Sequence, residues 1–157
     1  VRAALVPRAQ AAAVGGGLRA WDESGPDGVL ARLLVLDQFT RNAYRNTAQS
    51  FAGDALALAA AQQLVDSGAD RALAPLRRAF VYMPFEHAED PYMQERAVEL
   101  FSVLAAAQPG FDQMLDYAHR HRGVIARFGR FPHRNAILGR ASTPEELALL
   151  QQPGSRF

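Results

Sequence analysis

Residues 119–140 read HRHRGVIARFGRFPHRNAILGR and combine a strong positive charge with an apolar pattern. The stretch holds six arginines, three histidines and no acid, so its formal charge is +6, while the whole chain carries +1 and the remainder therefore −5. Valine, isoleucine, leucine and phenylalanine side chains run through it, and such side chains favour burial. A segment that is half core and strongly cationic must be neutralised by internal acids or must bind an anion.

The composition of the chain limits the classes of protein to which it can belong. Its 157 residues suffice for one domain that buries about two thirds of its unfolded surface, so we predict a single domain over residues 1–157. Cysteine is absent, which excludes disulfides, thiolate catalysis and zinc–sulfur sites and fits a cytoplasmic location. No membrane span is predicted, because no run of 18 apolar residues occurs. The chain begins at Val1, so we expect an upstream N-terminal segment to be missing.

Helical periodicity runs through the whole chain, and no stretch alternates apolar and polar residues as strands do. The pattern predicts helices at about 1–14, 27–42, 49–67, 74–82, 91–108, 111–128 and 144–151, with loops at 22–28 and 129–142. Gly68 and Pro84 are expected to end two of these helices. Asp90-Pro91 and the capping box Thr143-Pro144-Glu145-Glu146 are start signals.

Short connections between these helices favour antiparallel neighbours. The expected pairs are 27–42 with 49–67, 74–82 with 91–108, and 111–128 with 144–151. The sequence therefore predicts an all-α fold of stacked antiparallel α-hairpins.

Several polar residues fall on apolar helix faces. Asp37 and Arg41 lie one turn apart within the apolar arc of helix 27–42 and should pair with each other or across the core, because an unpaired buried charge is costly. His121 lies on the apolar side of helix 111–128 and is either a satisfied core residue or a site residue. Gln94, near the start of helix 91–108, either caps a backbone group or reaches into a polar interior.

Residues 84–90, PFEHAED, form the acidic counterpart of the cationic stretch. Their carboxylates and histidine can favour a helix N-terminus, ligate a metal with His133 or His121, act as general acid and base, or neutralise arginines. The arginines in question are Arg127, Arg130, Arg134 and Arg140. Because no ligand pair has the i, i+4 spacing of a helical metal site, we expect no tightly bound metal and no cofactor.

Three motifs in order resemble one uncharacterised bacterial family, domain of unknown function 924. They are LLVLDQFTRNAYRNT at 33–47, YMPFEHAED at 82–90 and HRGVIARFGRFPHRNAILGRASTPEE at 121–146. The resemblance implies a right-handed α-α superhelix similar to tetratricopeptide-repeat proteins, and it brings no assigned activity. Thr40 and Ala88 depart from the family's usual proline and serine. The motif positions that it implies are Asp37, Gln38, Arg41, Asn42, Glu86, His87, Glu89, Asp90, Gln94, His121, Arg127, Arg130, His133, Arg134, Asn135 and Arg140.

Two classes of function fit these residues. The first is a ligand-binding domain whose polar cleft holds an anionic small molecule or an acidic peptide. Its candidate residues are Asp37, Arg41, Asn42, Gln94, Arg130, His133, Arg134 and Asn135. The alternative is a hydrolase in which His87 or His121 is the base, Glu86 or Asp90 orients it, and arginines stabilise developing negative charge. Nucleic acid is a weaker candidate partner because the total charge is near neutral.

Overall fold

Helices and helical turns are the regular structure of residue 8 and residues 11–155, the part of the chain that the computed structural model describes. This part contains no β-strand, which confirms the all-α prediction. Residues 11–14 are helical, and the remainder of the predicted first helix falls mostly outside the described residues. The superhelical stacking stays a prediction. In the described part, no helix is both long and apolar enough to cross a membrane.

Between residues 26 and 155 the structure contains seven α-helices. They are α1 (Pro26–Leu34), α2 (Thr40–Ala43), α3 (Asp54–Asp66), α4 (Pro75–His87), α5 (Pro91–Ala107), α6 (Asp112–Phe128) and α7 (Pro144–Leu150). A π turn covers Val35–Phe39, and 3-10 turns cover Arg19–Ser24, Ala48–Phe51, Ala69–Ala72 and Pro132–Arg134. The described residues form two compact units, the first ending at Phe85 and the second beginning at Glu86. The single-domain prediction stays a prediction.

The predicted helix at 27–42 is correct in extent, but it changes its winding at the π turn between α1 and α2. The Thr40 hydroxyl donates to the carbonyl of Val35 at 2.8 Å within this turn. α1 packs against α3, which confirms the first predicted pair. The start of α3 at Asp54 shows that the prediction of a helix from residue 49 was wrong. A Cβ at Gly53 would lie 2.2 Å from the carbonyl oxygen of Leu36, so close backbone packing fixes this turn.

The loop predicted at 22–28 was also wrong. Residues Arg19–Ser24 form a 3-10 turn and α1 begins directly afterwards at Pro26. Arg32 holds this turn by donating to both carboxylate oxygens of Asp22 at 2.8 Å. Gly68 adopts a left-handed conformation with φ 73° just beyond α3, as predicted for a helix end.

α4 passes through Pro84 and ends at His87, so the prediction that the helix stops at Tyr82 was wrong. Proline removes one backbone hydrogen bond from a helix. Tyr82 and Phe85 are almost fully buried on either side of Pro84, and their packing keeps the chain helical there.

The Tyr82 hydroxyl donates to Asp70 at 2.6 Å and accepts from Arg78 at 2.9 Å. Burial, and then the hydrogen bond to Asp70, raises the pKa of Tyr82 to about 12.

In the second unit, α5 and α6 pack against each other across the short connection at 108–111. α6 makes its main helix contact with α5, and the predicted pairing of 111–128 with 144–151 stays a prediction. The pairing of 74–82 with 91–108 stays a prediction.

Two predicted helix starts are confirmed by their caps. Asp90 caps α5 by accepting from the Met93 N–H at 3.0 Å, and Thr143 and Glu146 form the predicted capping box of α7. The stretch after α6 is non-helical apart from the 3-10 turn.

Candidate functional site

Candidate residues of the second unit gather around the buried ring of Phe131. The ring of His121 meets it edge-on with centroids 5.4 Å apart, and the ring of His133 lies 5.7 Å away. The guanidinium of Arg134 lies over the Phe131 ring at 4.7 Å. These four residues are the Phe131 cluster. They come from α6 and from the 3-10 turn after it, so this turn folds the cationic stretch back onto its own helix.

His121 pairs with a carboxylate inside this unit. Its Nδ1 lies 2.9 Å from Glu86 Oε1 and 2.8 Å from the carbonyl oxygen of Tyr117. Both partners are acceptors, so Nδ1 carries the proton and the orientation of the imidazole is fixed. His121 and Glu86 are 5% and 6% exposed, and the ring of His87 lies 6.3 Å from that of His121. This arrangement of imidazole and carboxylate is the kind that orients a general base.

Glu89 neutralises Arg140. The arginine donates from Nη1 and Nη2 to the two carboxylate oxygens at 2.6 and 2.9 Å, and the N–H of Phe131 donates to Oε1 at 2.7 Å. Burial alone would raise the pKa of Glu89, but the hydrogen bonds from Arg140 and Phe131 lower it overall. Neutralisation of the cationic stretch by residues 84–90 is thus confirmed for this arginine.

Glu146 neutralises Arg130, and the sequence identified Glu146 only as a capping residue. Arg130 donates from Nε and Nη2 to its two oxygens at 2.6 and 2.8 Å, and Asn135 Nδ2 lies 3.2 Å away. The hydrogen bond from Arg130, followed by that from the N–H of Thr143, lowers the pKa of Glu146 to about 2. The same contact raises the pKa of Arg130. Local spacing predicts the capping box but gives no signal for the distant arginine.

Three more predicted residues serve the scaffold. Gln94 is fully buried and donates to the carbonyls of Glu86 and Ala88 at 2.7 and 2.8 Å, so it caps the end of α4. Arg134 Nη2 donates to the carbonyl of His87 at 2.9 Å. Asn135 links the two ion pairs, because it accepts from Arg140 Nε at 3.0 Å and donates towards Glu146.

Asp37, Arg41 and Asn42 lie in the first unit. Arg41 Nε donates to Asp37 Oδ1 at 3.0 Å, which confirms the predicted pair, and its Nη2 donates to Asp54 at 2.8 Å. Asp37 is 1% exposed, while the side chain of Arg41 is 20% exposed. Asn42 donates to the carbonyl of Gln38 at 2.9 Å on the surface. No sequence pattern indicated Asp54 as the second acid that binds Arg41.

Two adjoining pockets of about 490 and 300 Å³ run along α6, and we call them together the α6 groove. The first is lined by Arg127, Phe128, Arg130, Thr143, Glu145 and Glu146. The second is lined by Arg120, Gly123, Val124, Arg127, Phe128, Leu149, Gln152, Pro153, Gly154 and Ser155. Arg127 and Phe128 belong to both. The Phe131 cluster lines neither of the two.

Arg127 differs from Arg130 and Arg140 in its surroundings. Its side chain is exposed, and its guanidinium lies over the ring of Phe128 at 4.7 Å. Within residues 11–155 it forms no ion pair. Glu145 lines the same pocket and is exposed. The groove therefore presents a positioned guanidinium that no acid of the described chain neutralises.

The described residues contain no group of three or more histidine, aspartate or glutamate side chains arranged to hold a metal ion. The expectation that no metal is tightly bound stays a prediction. The chemistry that this unit offers is a buried imidazole–carboxylate pair and, separately, an open cationic groove.

The sequence and the fold were both compared with those of known proteins. The family model described as "Bacterial protein of unknown function (DUF924)" matches residues 2–154. A solved structure of a protein of unknown function from Agrobacterium tumefaciens is similar, with 43% sequence identity, a TM-score of 0.82, and coverage of 92% of this chain and 78% of that chain. No curated protein matches the chain.

Proposed function

This chain belongs to a bacterial family of unknown function, the family described as DUF924, and we propose from its own geometry that the second unit binds a small anionic ligand in the α6 groove. The observation that carries the proposal is Arg127, an exposed guanidinium that lines both pockets of the groove and has no ion-pair partner among the described residues. Carboxylate or phosphate would replace the missing partner.

Arginine suits this role because its planar fork matches carboxylate and phosphate oxygens with two parallel hydrogen bonds. The ring of Phe128, 4.7 Å below the guanidinium, limits the positions that Arg127 samples. A side chain that is already positioned loses less conformational entropy when the ligand binds. An acidic peptide would offer the same carboxylate chemistry, so it remains within the proposal as a larger alternative.

Two of the arginines that the sequence favoured as ligand contacts have partners within the second unit. Arg130 donates to Glu146, and Arg134 donates to the carbonyl of His87. We assign these two residues, with Asn135 and His133, to the scaffold that holds the groove's wall, and Arg127 to the ligand.

A calorimetric and thermal-melt titration tests the proposal. Purified protein is titrated with phosphate, sulfate, acetate and succinate at constant ionic strength. We expect saturable stabilisation by at least one of these anions, and we expect Arg127→Gln to remove it. Arg71→Gln, which removes an exposed arginine of the first unit, is the matched control and should keep the response. No anion-specific shift in the parent protein, or an equal shift in Arg127→Gln, would refute the proposal.

A hydrolase is the second candidate, and the 2.9 Å contact between His121 Nδ1 and Glu86 favours it. In that function His121 would take a proton from water while Glu86 holds the imidazole in one tautomer. It ranks second because both side chains are buried and neither lines the α6 groove. Aryl esters and aryl phosphates would be the test substrates. Turnover that is lost in both His121→Asn and Glu86→Gln would support it, and no turnover in the parent would count against it.

We also propose that the protein is located in the cytoplasm. It rests on the absence of cysteine, which fits a reducing compartment. Fractionation of cells that express the tagged full-length protein would test it, and recovery in a membrane or secreted fraction would contradict it.

A further inference from the structure

The first pocket of the α6 groove is lined by charged side chains of both signs. Its volume is about 490 Å³, and its charged residues are Arg127, Arg130, Glu145 and Glu146. The formal charges of these arginines and glutamates cancel. A lining without net charge gives little general attraction to an anion, so the placement of the individual charges decides which ligand the pocket favours.

Two of the four charges neutralise each other, and two do not. Arg130 donates to both carboxylate oxygens of the buried Glu146, at 2.6 and 2.8 Å, so this pair belongs to the scaffold. Arg127 and Glu145 are exposed. Within the part of the chain that the structure describes, neither forms an ion pair, either with the other or with a third side chain. The pocket therefore presents one cation and one anion to a ligand.

Local structure holds these two charges at the pocket. Arg127 lies in the last turn of α6, and its guanidinium lies over the ring of Phe128 at 4.7 Å. Glu145 lies in the first turn of α7. Thr143 and Glu146 make the capping contacts of that turn, so the cap does not use the carboxylate of Glu145. This carboxylate is therefore available to a ligand in the pocket that it lines.

Resting on the proposed function, we infer that the ligand is a zwitterion, a small amino acid whose carboxylate binds Arg127 and whose ammonium group binds Glu145. Arginine matches a carboxylate with two parallel hydrogen bonds, and an ammonium group donates up to three. A ligand that carries only a carboxylate meets Glu145 as a like charge and binds more weakly. The added ion pair is partly exposed, so the ammonium group should strengthen binding by about two- to fivefold.

The experiment is a calorimetric titration of the intact protein with matched pairs of ligands. Each pair contains a linear ω-amino carboxylate, from glycine to aminohexanoate, and the unsubstituted carboxylate with the same number of carbons, from acetate to hexanoate. Chain length is varied because it sets the distance between the two ligand charges. In the parent we expect one or more of the amino carboxylates to bind about two- to fivefold more tightly than the matched carboxylate.

Glu145→Gln separates a ligand contact from a structural role, because it removes the negative charge and keeps the size of the side chain. We expect this variant to bind the amino carboxylate more weakly and the unsubstituted carboxylate more tightly, so that the two bind alike. A purely structural effect would change both affinities in the same direction. Glu23→Gln, which removes an exposed glutamate of the first unit that lines neither pocket, is the matched control and should keep the preference.

The outcomes separate this inference from the proposed function. If carboxylates or phosphate bind through Arg127 but no amino carboxylate binds more tightly than its matched carboxylate, the inference is overturned while the anion site stands. The same holds if Glu145→Gln keeps the preference. If amino carboxylates bind the parent and Arg127→Gln equally, the contact with Arg127 is overturned, and the inference and the proposed function fail together. If neither ligand series nor phosphate nor sulfate binds the parent, the proposed function itself fails.

Discussion

Asp37 is a buried carboxylate whose removal should be costly. It is 1% exposed and accepts from Arg41 Nε at 3.0 Å. Breaking a buried ion pair commonly costs 3–5 kcal/mol because the partner charge is left behind. Arg41 keeps its bond to Asp54, so we predict a smaller loss for Asp37→Ala, about 2–3 kcal/mol, in urea denaturation.

The neighbouring acid provides the control. The side chain of Asp54 is 24% exposed, and water can replace it more easily as the partner of Arg41. Asp54→Ala should therefore cost less than Asp37→Ala. Equal losses in the two variants would mean that burial does not decide the strength of these contacts.

Glu146 makes the second unit sensitive to acid. Its folded-state pKa of about 2 lies below the ordinary value of 4.5, chiefly because Arg130 donates to it. A carboxylate with a lowered pKa stabilises the folded state above the unfolded pKa, and this contribution is lost as the pH falls through the folded pKa. We predict that the stability difference between the parent and Glu146→Gln is constant above pH 4.5 and shrinks between pH 4.5 and about pH 2.

Denaturant melts of both proteins across that range measure the difference directly. Glu89 also has a lowered pKa, so the parent will lose further stability in the same direction. Glu95→Gln is the control, because Glu95 has an exposed partner in Arg122 at 3.1 Å and should show a much smaller loss. A difference for Glu146→Gln that stays constant down to pH 2 would contradict the assignment.

The sequence predicted the candidate residues better than it predicted their partners. Periodicity placed Asp37, Arg41 and His121 on buried faces, and the structure agrees. Glu86, one of the two acids expected to orient a histidine, contacts His121. Asp54 and Glu146 pair with Arg41 and Arg130 through contacts that only the folded chain brings together. Periodicity gives the face of a helix to which a residue belongs, but it does not give the residue that the face meets.

At the scale of one element, a glycine within α6 and a glycine just after it have opposite roles. Gly129 follows the helix with φ 68°, a left-handed conformation that costs other residues about 1–2 kcal/mol. Gly123 lies within the helix, where alanine is favoured by about 0.5–1 kcal/mol. We predict that Gly129→Ala destabilises and Gly123→Ala stabilises the protein by these amounts.

Urea denaturation of both variants provides the measurement, and each glycine is the control for the other. A Cβ meets no atom within 4 Å at either position, so steric clashes do not contribute to either change in stability. Destabilisation by Gly123→Ala would show that the helix interior at this point needs glycine for a backbone reason.

Helix ends were predictable where the capping chemistry is local. Asp90 and Thr143 cap their helices through side-chain bonds three residues away, which a sequence motif contains. Pro84 was misjudged because burial of Tyr82 and Phe85 outweighs the missing hydrogen bond. The predicted start of α3 was wrong because close contact between Gly53 and the backbone of Leu36, rather than a capping residue, determines where this helix begins.

At the scale of the whole molecule, charge is nearly balanced. The net charge is +1, so long-range repulsion contributes little to unfolding. The cationic stretch at 119–140 is tolerated because Glu89 and Glu146 bind two of its arginines inside the second unit. Arg127 is one of the arginines of this stretch that Glu89 and Glu146 do not neutralise, and it is exposed and lines the α6 groove.

The response to salt tests this distribution of charge. Arg77–Asp27, Arg96–Glu99 and Arg122–Glu95 are exposed ion pairs, which typically contribute 0.2–1 kcal/mol each. We predict that ~1 M NaCl, where the Debye length is about 3 Å, lowers the free energy of unfolding by at most about 3 kcal/mol, because the buried pairs are screened much less. The triple variant Asp27→Asn, Glu95→Gln, Glu99→Gln removes the three exposed pairs and raises the net charge, so its stability should stay level or rise with NaCl. The same decline in the parent and in the triple variant would show that the salt-sensitive ion pairs lie elsewhere. A steep decline in the parent alone would show that the exposed ion pairs contribute more to the free energy of unfolding than exposed pairs typically do.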